Sequence, residues 1–292
     1  MVSQGTAKME SSIVWIPEEL EIALNLKQQF GADAEFVAGG TLLQTNWEKD
    51  QPIPLYLISL ERITALQGFK KETSEGGPMI QIGALTTLAE IIQNPFFLSN
   101  LPLLAEAARS IAAPAVRNRG TIGGNIAGGT GDTIPAFLVM DAHISFVNGT
   151  EIQQKPLEDC LKEGILQDGS ILVSIDLFET GGQKFFKKVG RREAFTPSVV
   201  TIAGSCRVNS NKEMEAIRLA VGGGSNQPCR LEACEKLLHG NILSKELLEK
   251  LFLSIMEEFA ASSDDFYTAD YKKTIAANVI VYEMARFAGQ MG

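Results

Sequence analysis

Histidine is nearly missing from this sequence: 292 residues contain only two, His143 and His239. Imidazole is the side chain that most readily moves protons near neutral pH, and it is the commonest metal ligand. A histidine-based acid–base mechanism or a histidine metal centre therefore has little to be built from. Cysteine is also scarce. Cys160, Cys206, Cys229 and Cys234 include no CxxC pair, and their scatter fits neither a zinc site nor an iron–sulfur cluster. They read as buried thiols. No apolar run reaches the length that spans a bilayer, and Met1 to Ser12 lacks the basic start and hydrophobic stretch of a secretory leader, so the cytoplasm is the expected compartment. Positive charge is in deficit, with 26 Lys and Arg against 35 Asp and Glu and a net charge of −9. That balance argues against broad attraction to nucleic acid or an anionic membrane.

What remains is an ordinary globular composition, 45% hydrophobic and 21% charged, without a low-complexity tract. The length exceeds that of a single core and points to two or three subdomains. A helix is predicted from about Pro17, followed by Glu18, Glu19 and Glu21 and stopped by Gly31. Short strands are predicted at Glu35 to Ala38, Leu55 to Leu60 and Met79 to Gly83. Thr86-Thr87-Leu88-Ala89-Glu90 resembles a capping box that opens a helix to about Gln93. Leu101 to Ile111 reads as a buried helix, and the apolar segment after Asp132 through Met140 as a helix. Strand patterns return at His143 to Val147 and Ile171 to Leu177. Beyond residue 183, Phe185 to Val189, Ser198 to Val208 and Ala216 to Val221 suggest an antiparallel meander. Helices follow at Cys229 to Leu238, Ser244 to Phe259 and Thr268 to Phe287, which makes the C-terminal unit an α+β layer.

Two glycine-rich turns dominate the sequence. The first is Val37-Ala38-Gly39-Gly40-Thr41-Leu42-Leu43, and the second runs from Gly120-Thr121-Ile122-Gly123-Gly124-Asn125 to Gly129. Glycine permits positive φ and removes the Cβ that would block a diphosphate, so successive N–H groups can face phosphate oxygens. Either turn alone is more often a tight corner. Neither matches GxGxxG or GxxxxGK[ST], so a Rossmann or phosphate-loop reading fails on spacing.

These residues resemble the FAD-binding medium subunit of molybdenum hydroxylases, the flavoprotein family of xanthine dehydrogenase and carbon monoxide dehydrogenase. VAGGTLL, RNRGTIGGNIA with D-x-x-PAFLVMDA after it, and FFKKVGRREAF carry the likeness, which covers nearly the whole chain. It implies an α+β fold: a vanillyl-alcohol-oxidase-type FAD-binding domain over 1–182, with subdomains of about 1–65 and 66–182. A C-terminal flavoprotein domain of antiparallel sheet plus helices would follow over 183–292.

The resemblance further implies that Val37, Ala38, Gly39, Gly40, Thr41, Leu42, Leu43 and Gln44, with Thr121, Ile122, Gly123, Gly124 and Asn125, hold FAD noncovalently, largely through backbone amides. Ile111, Asp132, Leu172 and Lys187 match positions lining the nucleotide. Each has a plainer reading: Asp132 as a helix N-cap, Asn125 as the support of its own turn, Leu172 as core, Lys187 as a solvated strand residue. Arg191 and Arg192 are surface residues or face a partner or the flavin loop, in which Phe195 is the candidate to stack on the flavin. Between Asn125 and Asp132 stand only Ile-Ala-Gly-Gly-Thr-Gly, shorter than in most relatives, and the extra glycines are expected to let the short loop reach the same contact.

No catalytic side chain and no metal ligand is assigned, since flavin would carry the chemistry. The resemblance implies partners: a molybdopterin-containing large subunit and an iron–sulfur small subunit, with NAD or another acceptor downstream. A xanthine dehydrogenase-like assembly leads, followed by a carbon monoxide or N-heterocycle dehydrogenase. A standalone flavin oxidase and a scaffold that has lost FAD are the readings from other classes.

Overall fold

A computed structural model describes residues 12–289 apart from 50, 75–76, 165–168, 179–180 and 193–196. Three sheets follow one another along the chain. The first is parallel, with β1 (Ile13–Trp15), β2 (Ala34–Val37) and β3 (Tyr56–Ser59) in the order β1-β3-β2. Parallel strands need crossovers, and the helix Leu20–Phe30 lies in the one from β1 to β2. It stops at Gly31, whose φ of 55° returns its N–H to the Lys27 carbonyl. Its Ala23 is buried in one cluster with Ile58, Leu60 and Leu66.

The second sheet is antiparallel and five-stranded. Its strands are β4 (Phe69–Ser74), β5 (Gly77–Gly83), β6 (His143–Val147), β7 (Ile152–Pro156) and β8 (Ile171–Phe178), in the order β4-β5-β8-β6-β7. β5, β6 and β8 are the strands visible in the sequence. The edge strands β4 and β7 escaped it, because their polar stretches FKKETS and IQQKP lack a two-residue apolar alternation. Short helices between β5 and β6 cover the sheet. One of them, Leu88–Gln93, is capped by the Thr87 hydroxyl, which accepts the Glu90 N–H at 3.1 Å. The helix Pro102–Arg109 buries Leu103, Leu104, Ala105, Ala107 and Ala108 but exposes Pro102, Glu106 and Arg109, so it is amphipathic rather than buried all round as expected.

The third sheet is the expected meander: β9 (Gln183–Gly190), β10 (Ser198–Val208) and β11 (Met214–Gly222), closed by the short β12 (Cys229–Arg230). Its two faces do different things, because side chains alternate along a strand. Phe185, Ile202 and Val221 face the core formed with the helices Glu232–Leu238, Lys245–Glu258 and Ala269–Gly289. Phe186, Ala203 and Ala220 point the other way, into the core of the second sheet and its helices. Burying Phe186 alone contributes roughly 2 kcal/mol to holding the units together. The helix Ile134–Val139, buried along its whole length, packs on β10 and β11 and completes this seam.

Candidate flavin site

The two glycine turns meet. β2 ends at Val37, and Gly40, at φ 72°, turns the chain into the helix Thr41–Trp47. A Cβ on Gly39 would lie 1.8 Å from the Arg119 carbonyl oxygen, so this position requires glycine because the second turn is pressed against the first. Arg119 Nε reinforces the contact by donating to the Gly39 carbonyl at 3.3 Å.

The two turns contribute differently. In the second, the amides from Ile122 to Asn125 are already committed: Ile122 N donates to Thr86 O at 3.0 Å, Gly123 N to Ala84 O at 2.9 Å, and Asn125 N to Thr121 O at 3.0 Å. Gly124 N donates to the Thr121 hydroxyl, the N-cap of the helix Ile122–Ala127. Gly123 is glycine because a Cβ there would meet Ala84 at 2.6 Å. In the first turn, by contrast, the amides of Gly39, Gly40, Thr41, Leu42 and Leu43 have no hydrogen-bond partner among the described residues. The sequence makes both turns candidate amide donors. The run of free donors belongs to the first, while the second, paired from Ile122 to Asn125, supplies a close-packed wall.

Both turns line one cleft of about 920 Å³, within the range of small-molecule and cofactor sites. Ala38, Gly39, Gly40, Thr41, Leu42 and Leu43 line it, with Ile111, Thr121, Gly123, Gly124, Asn125, Asp132 and Leu172. Val37 and Gln44 flank the first turn without lining the cleft, and Ile122 is buried beneath the second.

Asn125 and Asp132 show how the short loop works. Asn125 Oδ1 accepts from Thr133 N at 3.1 Å and from Thr133 Oγ1 at 2.6 Å, so it braces a residue eight positions on rather than its own turn. Gly131 has no room for a Cβ, which would fall 2.1 Å from the Asn125 carbonyl oxygen. Asp132 is not the cap of the next helix, since Thr133 holds that position without a side-chain bond. Its carboxylate lies against Lys188 Nζ at 2.9 Å and accepts from Ser198 Oγ at 2.6 Å.

Lys187 does not reach the cleft. β9 alternation turns it toward the C-terminal helices, where it lies 3.6 Å from the buried Glu283 carboxylate; Lys188 is the inward residue. Leu172 serves both as core and as cleft wall, 6% exposed. Arg191 stacks on the Phe266 ring, 3.6 Å from its centroid, whereas Phe195 lies outside the described residues. Residues that sequence reasoning missed include Glu35, Asn46, Ser170, Ser198 and Gly224, all lining the cleft. Ser198 and Gly224 arrive from the third sheet, and only tertiary structure brings them within reach.

Burial pushes the thiols of Cys160, Cys206 and Cys229 up to about 11 and that of Cys234 to about 12. Glu106, near Lys187 and Glu283, is also raised, chiefly by burial.

A glycine-walled cleft with a run of free amides, shared between α+β units and a sheet-and-helix unit, suits a nucleotide cofactor. Residues 7–177 match the family described as FAD binding domain in molybdopterin dehydrogenase, and residues 184–286 match the CO dehydrogenase flavoprotein C-terminal domain. The chain belongs to this family of FAD-binding subunits of molybdenum hydroxylases, and FAD is its cofactor. It is 30% identical to the carbon monoxide dehydrogenase medium chain of Hydrogenophaga pseudoflava, over 90% of this chain and 92% of that one. It is 27% identical to a putative xanthine dehydrogenase FAD-binding subunit of Escherichia coli strain K12, over 88% and 91% of the two chains. The solved carbon monoxide dehydrogenase from H. pseudoflava that lacks the Mo-pyranopterin moiety superimposes with a TM-score of 0.83 at 28% identity, covering 93% of this chain and 95% of that one.

Proposed function

We propose that this chain is the electron-transferring flavin subunit of a cytoplasmic three-chain molybdenum hydroxylase, linking iron–sulfur clusters on a small subunit to NAD or another acceptor. The run of unpartnered amides from Gly39 to Leu43, facing the glycine wall of the second turn, carries the reading. The FAD diphosphate is assigned to that run, with Thr121, Gly123, Gly124 and Asn125 opposite and Ile111, Asp132 and Leu172 along the remaining walls. Lys188 replaces Lys187 as the basic residue on the cleft side of β9. The FAD-binding domain is placed at 1–182 and the C-terminal domain at 183–292.

FAD, when bound, supplies the redox chemistry, accepting single electrons and releasing a pair. The side chains of this chain then bind and orient it and hold water away. No histidine lines the cleft among its described residues, and Asp132 is already paired, which weighs against a standalone oxidase with its own base. The molybdopterin and iron–sulfur centres are assigned to partner chains.

The substrate is oxidised on the molybdopterin chain, so the cleft does not select it. A xanthine dehydrogenase-like assembly is the first reading. The 30% identity to a carbon monoxide dehydrogenase medium chain supports that enzyme class as the second. Affinity purification of the chain from its native cells, followed by metal analysis and substrate assays with xanthine and carbon monoxide, tests both. Co-purification of iron and molybdenum with two further chains supports the assembly, and recovery of the chain alone contradicts it.

A further inference from the structure

Behind the cleft wall, two cations hold three consecutive carbonyl groups. The segment Ser110-Ile111-Ala112 leaves the helix Pro102–Arg109 and carries Ile111 into the cleft. Ala112 has φ 43°, a left-handed conformation that costs a non-glycine residue about 1 kcal/mol. Ser110 O accepts from Lys188 Nζ at 3.0 Å, Ile111 O accepts from Arg117 Nη1 at 2.8 Å, and Ala112 O accepts from the same nitrogen at 2.5 Å. Neither cation lines the cleft, and the Lys188 side chain is only 12% exposed.

Lys188 also reaches Asp132 Oδ2 at 2.9 Å, while Asp132 Oδ1 accepts from Ser198 Oγ and Ser198 Oγ accepts from Gly224 N at 2.7 Å. Ile111, Asp132, Ser198 and Gly224 all line the cleft. One ammonium from the third sheet thus touches both a backbone carbonyl and a carboxylate of the wall opposite. Burial makes such charge-assisted bonds stronger than their exposed counterparts.

We propose that Lys188 and Arg117 are positioning residues that fix the Ile111 and Asp132 walls of the FAD cleft. FAD affinity then depends on the docking of β9 against the segment 110–112, so the C-terminal unit closes the site without touching the nucleotide through Lys188. The inference rests on the FAD reading given above.

The test is fluorescence titration of the full chain with FAD, alongside thermal melting of each apoprotein. Lys188→Met is expected to weaken FAD binding about tenfold or more, which is about 1.4 kcal/mol. Lys188→Arg, which keeps a cation able to reach both partners, is expected to recover most of that affinity. Lys187→Met, on the opposite face of the strand, is expected to stay within about twofold of wild type. Arg117→Gln gives a second reading if Lys188→Met does not fold, with a loss of the same order expected. Wild-type affinity in Lys188→Met or in Arg117→Gln overturns the clamp alone, and so does a Lys188→Arg chain that melts normally yet binds as poorly as Lys188→Met. A wild-type chain that takes up no FAD overturns the flavin reading and the clamp with it.

Discussion

Gly39 and Arg119, eighty residues apart in sequence, are in such close contact that no side chain fits between them: a Cβ on Gly39 would stand 1.8 Å from the Arg119 carbonyl oxygen. Backbone rather than a flexible side chain is the obstacle, so relief requires the two turns to separate. Gly39→Ala is therefore expected to destabilise the chain by about 1–3 kcal/mol, the usual cost of overpacking, and to weaken FAD binding more than tenfold. Thermal melting and flavin titration of the variant check the two effects separately.

The brace from Asn125 to Thr133 is the next point of weakness. Asn125→Ala removes the acceptor of both Thr133 N and Thr133 Oγ1, and Thr133 is fully buried. Leaving buried donors unpaired costs about 1–3 kcal/mol. The loop 128–132 should loosen as a result. Denaturant unfolding is expected to show that loss of stability, and limited proteolysis to show faster cleavage between residues 128 and 132.

Much of this was legible in the sequence, and the reasons are physical. β10 and the glycine turns were visible because burial on both sides writes a continuous apolar run, and close approach writes glycine pairs; the helix Pro102–Arg109 was visible from its leucines and alanines, though one face is exposed. β4 and β7 were not, since an edge strand needs no apolar alternation. The cleft was half legible. Residues of the two turns could be named, but not which turn keeps free amides, because that depends on partners such as Thr86 O and Ala84 O brought up by β5 and its following bend. That Lys188 rather than Lys187 lies on the cleft side follows from strand phase. In FFKK, both of two adjacent phenylalanines are buried, one in each core, so the usual inside–outside cue was absent.

Acid sensitivity is expected from a pair far from the cleft. The ammonium of fully buried Lys272 sits 2.6 Å from Asp264 Oδ2, and Asp264 also accepts the amides of Phe266 and Tyr267. The Lys272 hydrogen bond first, and the backbone amides next, hold the Asp264 carboxyl down from 3.8 to about 2. A depressed carboxyl contributes stability above its unfolded pKa and loses it as pH falls through the folded one. Asp264→Asn is expected to lower the melting temperature at pH 6, with the difference from wild type shrinking between about pH 4 and pH 2. Paired melting curves across that range check it, and a difference that is independent of pH would contradict the assignment.

The central claim is that the two turns cradle FAD without a covalent bond. The most direct measurement is the absorption spectrum of the purified chain, followed by denaturation and identification of released flavin, repeated for Gly124→Val, whose new side chain would crowd Thr121 Oγ1, 3.0 Å from the Cβ position. Bound FAD is expected to be released intact from the wild-type chain and to be absent from the variant. A wild-type chain that takes up no flavin from excess FAD, or a variant that holds it equally well, would contradict it.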